Sequence, residues 1–163
     1  MRAGVPGLRS LTTAAVALIA AIGSGCGSKG AVSLSARVEA IELTVSEGPF
    51  GASLDGSFDL VLDLGEAAPG ATTVTLGSFG VRSAAGSVVD TLSLEAKPSF
   101  PLELSPGDSV RVELGIAEPP LLDEAEAMLV CSGDVWISGS VSDTSNADRP
   151  TPVASGRFSA TCP

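Results

Sequence analysis

Apolar and polar residues alternate one for one over residues 57–64, a period that suits a β-strand and not a helix. Phe58, Leu60, Leu62 and Leu64 fall on one side, with Ser57, Asp59, Val61 and Asp63 on the other. Successive side chains of a strand point to opposite faces, so the first set reads as buried and the second as a mostly acidic outer face. The same signature recurs along the chain, each run short and bounded by Gly, Pro, Ser or Asp. Thr72, Val74 and Leu76 make a second strand, and Val88, Leu92 and Leu94 a third, with Asp90 an exception on its inner face. Phe100, Leu102 and Leu104 lead into Ser105-Pro106-Gly107-Asp108-Ser109, and Val110, Val112, Leu114 and Ile116 follow. Pro presets φ at the second position of a turn and Gly accepts positive φ at the third, so this stretch reads as a tight reversal.

The start of the domain carries a phase change. Leu34, Ala36 and Val38 are apolar at even positions, then Ile41, Leu43 and Val45 at odd ones. A one-residue slip turns every side chain to the opposite face, so a bulge is expected near residues 39–41, where the strand is free to pass from one sheet to another. Residues 119–126 have the chain's only helical composition and read as a crossing connection with one helical turn. Residues 128–141 and 152–161 are the last two expected strands, joined by a polar loop over residues 142–151. Seven or eight strands in about 130 residues fit an all-β, two-sheet antiparallel sandwich of immunoglobulin-like or fibronectin-like type. Residues 100–116 look like a hairpin common in immunoglobulin-like modules of bacterial surface proteins, a resemblance that covers this hairpin alone and implies architecture without activity.

The first thirty residues differ from the rest. Arg2 and Arg9 precede an uncharged apolar run over residues 11–22, and no acid appears before Glu39. A basic start, a short apolar stretch and then small residues form the three-part pattern of a secretory signal, here residues 1–25. At twelve residues the run is too short for a membrane span, which needs roughly 20. Gly23-Ser24-Gly25-Cys26 resembles the lipobox of bacterial lipoproteins, in which small residues precede a cysteine that receives diacylglycerol. Ser24, Gly25 and Cys26 match; Gly23 departs, since the family usually has Leu there, which leaves ordinary signal-peptidase cleavage and a secreted or periplasmic product as the alternative. The resemblance implies that Cys26 is the first mature residue and carries the lipid, with residues 26–33 a tether and residues 34–163 the domain. Gly27 is not the Asp that retains many such proteins at the inner membrane, so the implied destination is the outer membrane, with the membrane itself a partner through the lipid.

With the signal removed, seven basic residues face nineteen acids, a net charge of −12. Nucleic acid and anionic lipid both need basic patches, so neither is an expected partner. The chain has no histidine and no tyrosine, which removes Ser-His-Asp and Cys-His catalysis and histidine zinc sites. Its two lysines, Lys29 and Lys97, fall in the tether and in a turn, away from any serine base pair. Asp59 and Asp63 alternate on an exposed face with no aromatic residue to hold a sugar, and read as a solvated face. No strand runs through a Gly-rich loop into a helix, so no nucleotide cradle is expected. The expectation is a noncatalytic protein without cofactor, whose protein partner the sequence does not name. Asp143, Asn146 and Asp148 are weak calcium candidates: loop oxygens can hold the ion, but the spacing is not that of an EF-hand, and these residues are common turn formers.

Two further residue pairs matter. Trp136 sits on the polar side of its strand, either as a partner contact or lying flat under Arg157 in a cation–π arrangement. With Cys26 assigned to lipid by the resemblance, Cys131 and Cys162 remain, and export would place them in an oxidising compartment. Folding residues 129–141 back on 152–162 sets Cys131 against Cys162, Val135 against Phe158, Ile137 against Gly156 and Trp136 against Arg157. That register predicts a disulfide; two unpaired buried thiols are the alternative.

Overall fold

The computed structural model describes residues 34–163 apart from Asp134. The signal segment 1–25, Cys26 and the tether therefore lie outside the described residues. Nine strands and one short helix follow in order: β1 (Leu34–Gly48), β2 (Gly51–Leu64), β3 (Thr72–Arg82), β4 (Val88–Lys97), β5 (Leu102–Leu104), β6 (Ser109–Glu118), β7 (Leu121–Leu122), α1 (Glu124–Cys131), β8 (Trp136–Asp143) and β9 (Thr151–Ala154). The strands form a curled antiparallel sheet in the order β1-β2-β6-β4-β3-β8-β9, with β5 added to β3 and β7 to β2. No helix among the described residues is long and apolar enough to cross a membrane.

The curl originates in β4. Its first half pairs with β3 (Phe79 opposite Leu92), and its second half pairs with β6 (Leu94 opposite Ile116), with a register shift between Ser93 and Leu94. One strand thus carries both halves of the sheet and turns one toward the other. Phe58 of β2 and Phe79 of β3, from opposite halves, meet with ring centroids 5.9 Å apart. Around them Leu54 is buried together with Leu60, Leu62, Val74, Val112 and Leu114, the last five on the face that alternation assigned in β2, β3 and β6. Val88 departs from that assignment. It is 53% exposed, because β4's inward face starts after it.

The phase change in β1 is a bulge. Register slips between Glu39 and Glu42 as β1 pairs with β2, and Ala40 adopts φ 46°. The strand does not pass to another sheet: it stays on β2 from Leu34 opposite Leu64 to Gly48 opposite Gly51. Gly56 faces the bulge at φ 131°, where a Cβ would run into the backbone oxygen of Glu42. A second slip, between Leu76 and Phe79 where β3 pairs with β8, moves the buried set from even to odd positions and extends β3 well beyond Leu76.

Two expected connections fold differently. Residues 100–116 do not form a hairpin, since β5 pairs with β3 whereas β6 pairs with β2 and β4. The turn between them is present, closed by Asp108 N–H donating to Ser105 O at 2.9 Å with Gly107 at φ 89°, but it docks on the end of β2. Gly107 N–H donates to Leu64 O at 2.8 Å, and Leu64 N–H to Asp108 O at 2.9 Å. Residues 128–131, expected as strand, belong to α1. Asp123 caps this helix and Glu126 reciprocates, each side chain accepting the other's backbone N–H at 2.8 Å. That capping box, followed by Ala-Met-Leu with good helix propensity, outweighs the apolar alternation that suggested a strand.

Ala40→Gly should stabilise the domain by about 0.5–1 kcal/mol, since an L-residue in the left-handed region costs about 1–2 kcal/mol and glycine returns part of that as chain entropy. Gly56→Ala should cost at least about 2 kcal/mol, through the backbone clash and the positive φ together. Urea unfolding of the two variants checks both signs.

Candidate functional site

The C-terminal segment builds one wall of the site. Cys131 and Cys162 form a disulfide with Cα atoms 5.9 Å apart. Cys131 is the last residue of α1, so the bridge joins a helix end to an extended tail and does not join two strands. Val135 and Phe158 form an antiparallel bridge, but β8 and β9 run one residue out of that phase, with Ser138 opposite Ala154. Ser155 absorbs the difference. Its N–H donates to Ile137 O and its Oγ accepts from Ile137 N–H, both at 2.9 Å, so Ile137 meets Ser155 and not Gly156. The tail then reaches β1, where Thr161 N–H donates to Leu43 O and Val45 N–H donates to Thr161 O, each at 2.8 Å.

Trp136 and Arg157 are not opposed in the strand ladder. β8 sets Trp136 opposite Arg82 of β3, and the regular β8–β9 register ends at Ser138. Arg82 spends its donors elsewhere, Nε on Ser138 Oγ at 2.6 Å and Nη1 on Gly86 O at 3.0 Å. Trp136 is half-buried. Asp134 lies outside the described residues.

The calcium candidates have a different occupation. Asp143 is only 6% exposed, and its Oδ1 accepts from Ser145 N–H at 2.9 Å, Asn146 N–H at 3.0 Å and Thr72 Oγ1 at 3.3 Å. It caps the 3-10 turn Thr144–Asn146 and ties the end of β8 to the start of β3. Asn146 and Asp148 are exposed beyond it. Among the described residues no three His, Cys, Asp or Glu side chains cluster as a metal site would require.

Asp59 and Asp63 belong to an ion-pair cluster on the outer face of β1, β2 and β6. Arg111 pairs with Asp59 at 2.7 Å and with Glu39 at 2.9 Å, while Arg37 pairs with Glu39 at 2.8 Å and with Asp63. Val61, directly opposite both arginines in the register, is 4% exposed although it faces outward. The aliphatic stems cover it while the guanidinium groups stay in water. Both aspartates are thus held in one ion-pair ladder on the outer face of the sheet.

The feature with the geometry of a binding site lies at the far end of β1. A groove of about 700 Å³ opens between the β1–β2 turn, α1 and the disulfide. Phe50, at the tip of the turn, is 88% exposed, and Met128 on α1 is 61% exposed. Leu122 and Ala127 line the groove between them, and Glu47, Asp123 and Glu124 supply its polar rim. Gly48 pairs with Gly51 across a two-residue turn, and this tight turn is what presents Phe50 at the tip. The capping box holds Met128 on the same side. Cys131 and Cys162 are part of the lining, so the disulfide keeps the groove's two chain segments in place. The sequence reading did not single out Phe50 or Met128; the aromatic in Gly48-Pro49-Phe50-Gly51 and the Asp123–Glu126 spacing were the available signals. A second depression, of about 640 Å³, lies on the outer face of β3 and β8, floored by Ser138, Gly139 and Ser140. A Cβ at Gly139 would strike the buried Phe79 ring, so this position is kept small by packing on the core side.

Cys131→Ser/Cys162→Ser should cost about 2–4 kcal/mol, and hydrogen exchange should show early loss of protection at the Val45 amide, whose acceptor is on the released tail. A second expectation concerns acid. The Ser109 hydroxyl, and after it Arg37, hold the Asp63 carboxyl below its ordinary pKa despite opposing desolvation. A lowered folded-state value contributes stability above the unfolded-chain pKa that disappears as pH falls through the folded value. Ser109→Ala should therefore raise Asp63's titration midpoint and move acid unfolding to higher pH, as carboxyl NMR titration would show. No family model matches this chain, and no curated protein or solved structure matches it.

Proposed function

We propose that the chain is a noncatalytic envelope lipoprotein, an immunoglobulin-like interaction module held at the outer membrane by lipid on Cys26. One observation carries the reading: a basic start and a short apolar run lead through small residues to Cys26. The disulfide strengthens it from the other side. Bridging takes Cys131 and Cys162, leaving Cys26 as the one cysteine outside the bridge, and a disulfide is compatible with an exported protein.

The immunoglobulin-like reading rests on strand order. A constant-type domain has strands A, B, E and D in one sheet and C, F and G in the other. Here β1, β2, β6 and β4 run side by side, followed by β3, β8 and β9. With β5 and β7 set aside as short additions, chain order assigns these strands A, B, E, D and then C, F, G. The contact of Phe58 with Phe79 between the halves is what two facing sheets would produce. The noncatalytic reading follows from the side chains available: no histidine, and carboxylates at Asp59 and Asp63 bound up with arginine and serine.

Gly23, standing where lipoproteins usually have Leu, favours a second reading, a secreted or periplasmic binding domain without lipid that serves a larger surface complex. Detergent phase partition of the wild-type and Cys26→Ala proteins separates the two. Wild type should enter the detergent phase and Cys26→Ala should remain in water. Both in water would overturn the lipid anchor and leave the second reading.

A further inference from the structure

We infer that the groove between the β1–β2 turn and α1 receives a peptide segment that carries an apolar side chain with lysine or arginine beside it. The inference rests on the domain being an interaction module, and not on the lipid. Phe50 and Met128 hold their side chains in water, where each exposed apolar surface is unfavourable, and both border the same groove. Met128 adds an unbranched, polarisable side chain that adapts to different apolar partners. The opposite wall is held by the Cys131–Cys162 bridge and the capped end of α1, so little ordering is needed on binding.

Charge selects the occupant. Glu47, Asp123 and Glu124 line the groove, and among the described residues no lysine or arginine does. Asp123 is engaged in the capping box, but Glu47 and Glu124 take part in none of the ion pairs among the described residues. On the face of β1, β2 and β6, Glu39, Asp59 and Asp63 are met by Arg37 and Arg111; the groove's carboxylates have no such cation beside them among the described residues and are open to a partner's. A cation beside the apolar anchor would find carboxylates at the rim, which favours encounter and fixes orientation. The same rim repels anionic headgroups, which argues against a membrane surface. A second copy docking this same face about a two-fold axis would set one acidic rim against another.

The test uses the exported Cys26→Ala protein, which carries no lipid however the N-terminus is processed, so its outcome is separate from phase partition. The probe is a short fluorescent peptide with one phenylalanine and one leucine flanked by lysines, followed by fluorescence anisotropy. Saturable binding should weaken by about tenfold or more in Phe50→Ser/Met128→Ser. Glu47→Gln/Glu124→Gln should weaken it about three- to tenfold and flatten its salt dependence. Peptides with glutamate for lysine, or serine for the apolar pair, should not bind. Both pairs of substitutions lie at exposed positions or on the rim, and a wild-type circular dichroism spectrum confirms that the variants fold. Equal affinity of wild type and Phe50→Ser/Met128→Ser would overturn the inference, as would no binding. Phe50-dependent capture by phosphatidylcholine vesicles, or a Phe50-dependent dimer in sedimentation, without peptide binding would equally overturn it.

Discussion

A curled sheet that does not fully close leaves backbone donors and acceptors exposed along its outermost strands, and the way this chain meets them governs much else. β1 is one edge, and its outer side at Leu43 and Val45 is taken by Thr161 from the far end of the chain. Unpaired edges template association with other chains, so covering them is a requirement of the architecture. A tail held by two backbone hydrogen bonds would fray, because terminal segments open at low cost. The disulfide changes that balance. It fixes Cys162 beside Thr161 and anchors it to α1, whose position depends in turn on the Asp123 cap. Edge, tail, bridge and helix form one dependent set, and the groove at Phe50 is the surface they enclose.

What was legible in the sequence was local periodicity. β6 and residues 57–64 of β2 alternate in facing and were readable residue by residue, apart from the burial of outward Val61, and the change from even to odd positions in β1 announced the bulge that Ala40 makes. The Cys131–Cys162 pairing also emerged, though from a register only partly realised: Val135 does meet Phe158, but Ser155 shifts β9 by one residue and α1 replaces the strand assumed at Cys131. Competing signals decided the failures. In residues 123–131, alternation and a capping box pointed to different structures, and the cap satisfies backbone groups that a strand edge would leave open. In residues 100–116 the turn chemistry was right while strand partners were wrong, because partner choice is a tertiary property. Three residues of β5 find β3 closer than the strand across their own turn. The groove was least legible. It needs the β1–β2 turn, α1 and the C-terminus in one place, and no periodicity encodes that.

Nineteen acids on so small a domain invite self-repulsion, and the structure meets it unevenly. On the face of β1, β2 and β6, two arginines hold three carboxylates and shield Val61 beneath their stems. Each exposed pair contributes little alone, and the arrangement matters more for covering an outward valine. At Phe50 no such neutralisation occurs. A surface whose carboxylates are compensated in one place and left open beside exposed apolar side chains in another has two different faces toward its surroundings.

Geometry then relates that open face to the proposed anchor. β1 begins at Leu34, next to the tether, and ends at Gly48, next to Phe50. At roughly 3.3 Å per residue, its fifteen residues place the groove on the order of 45 Å from the point where the tether joins the domain. A lipid at Cys26 would therefore hold the opposite end of β1 toward the bilayer. The groove would face away from the membrane, beyond the distance at which headgroup charge is felt at physiological salt. An acidic groove in that position meets soluble or surface-bound partners without competing with anionic lipid for their cations. An anchor at the Leu34 end of β1 and a binding groove at its Gly48 end would thus separate retention at the envelope from recognition.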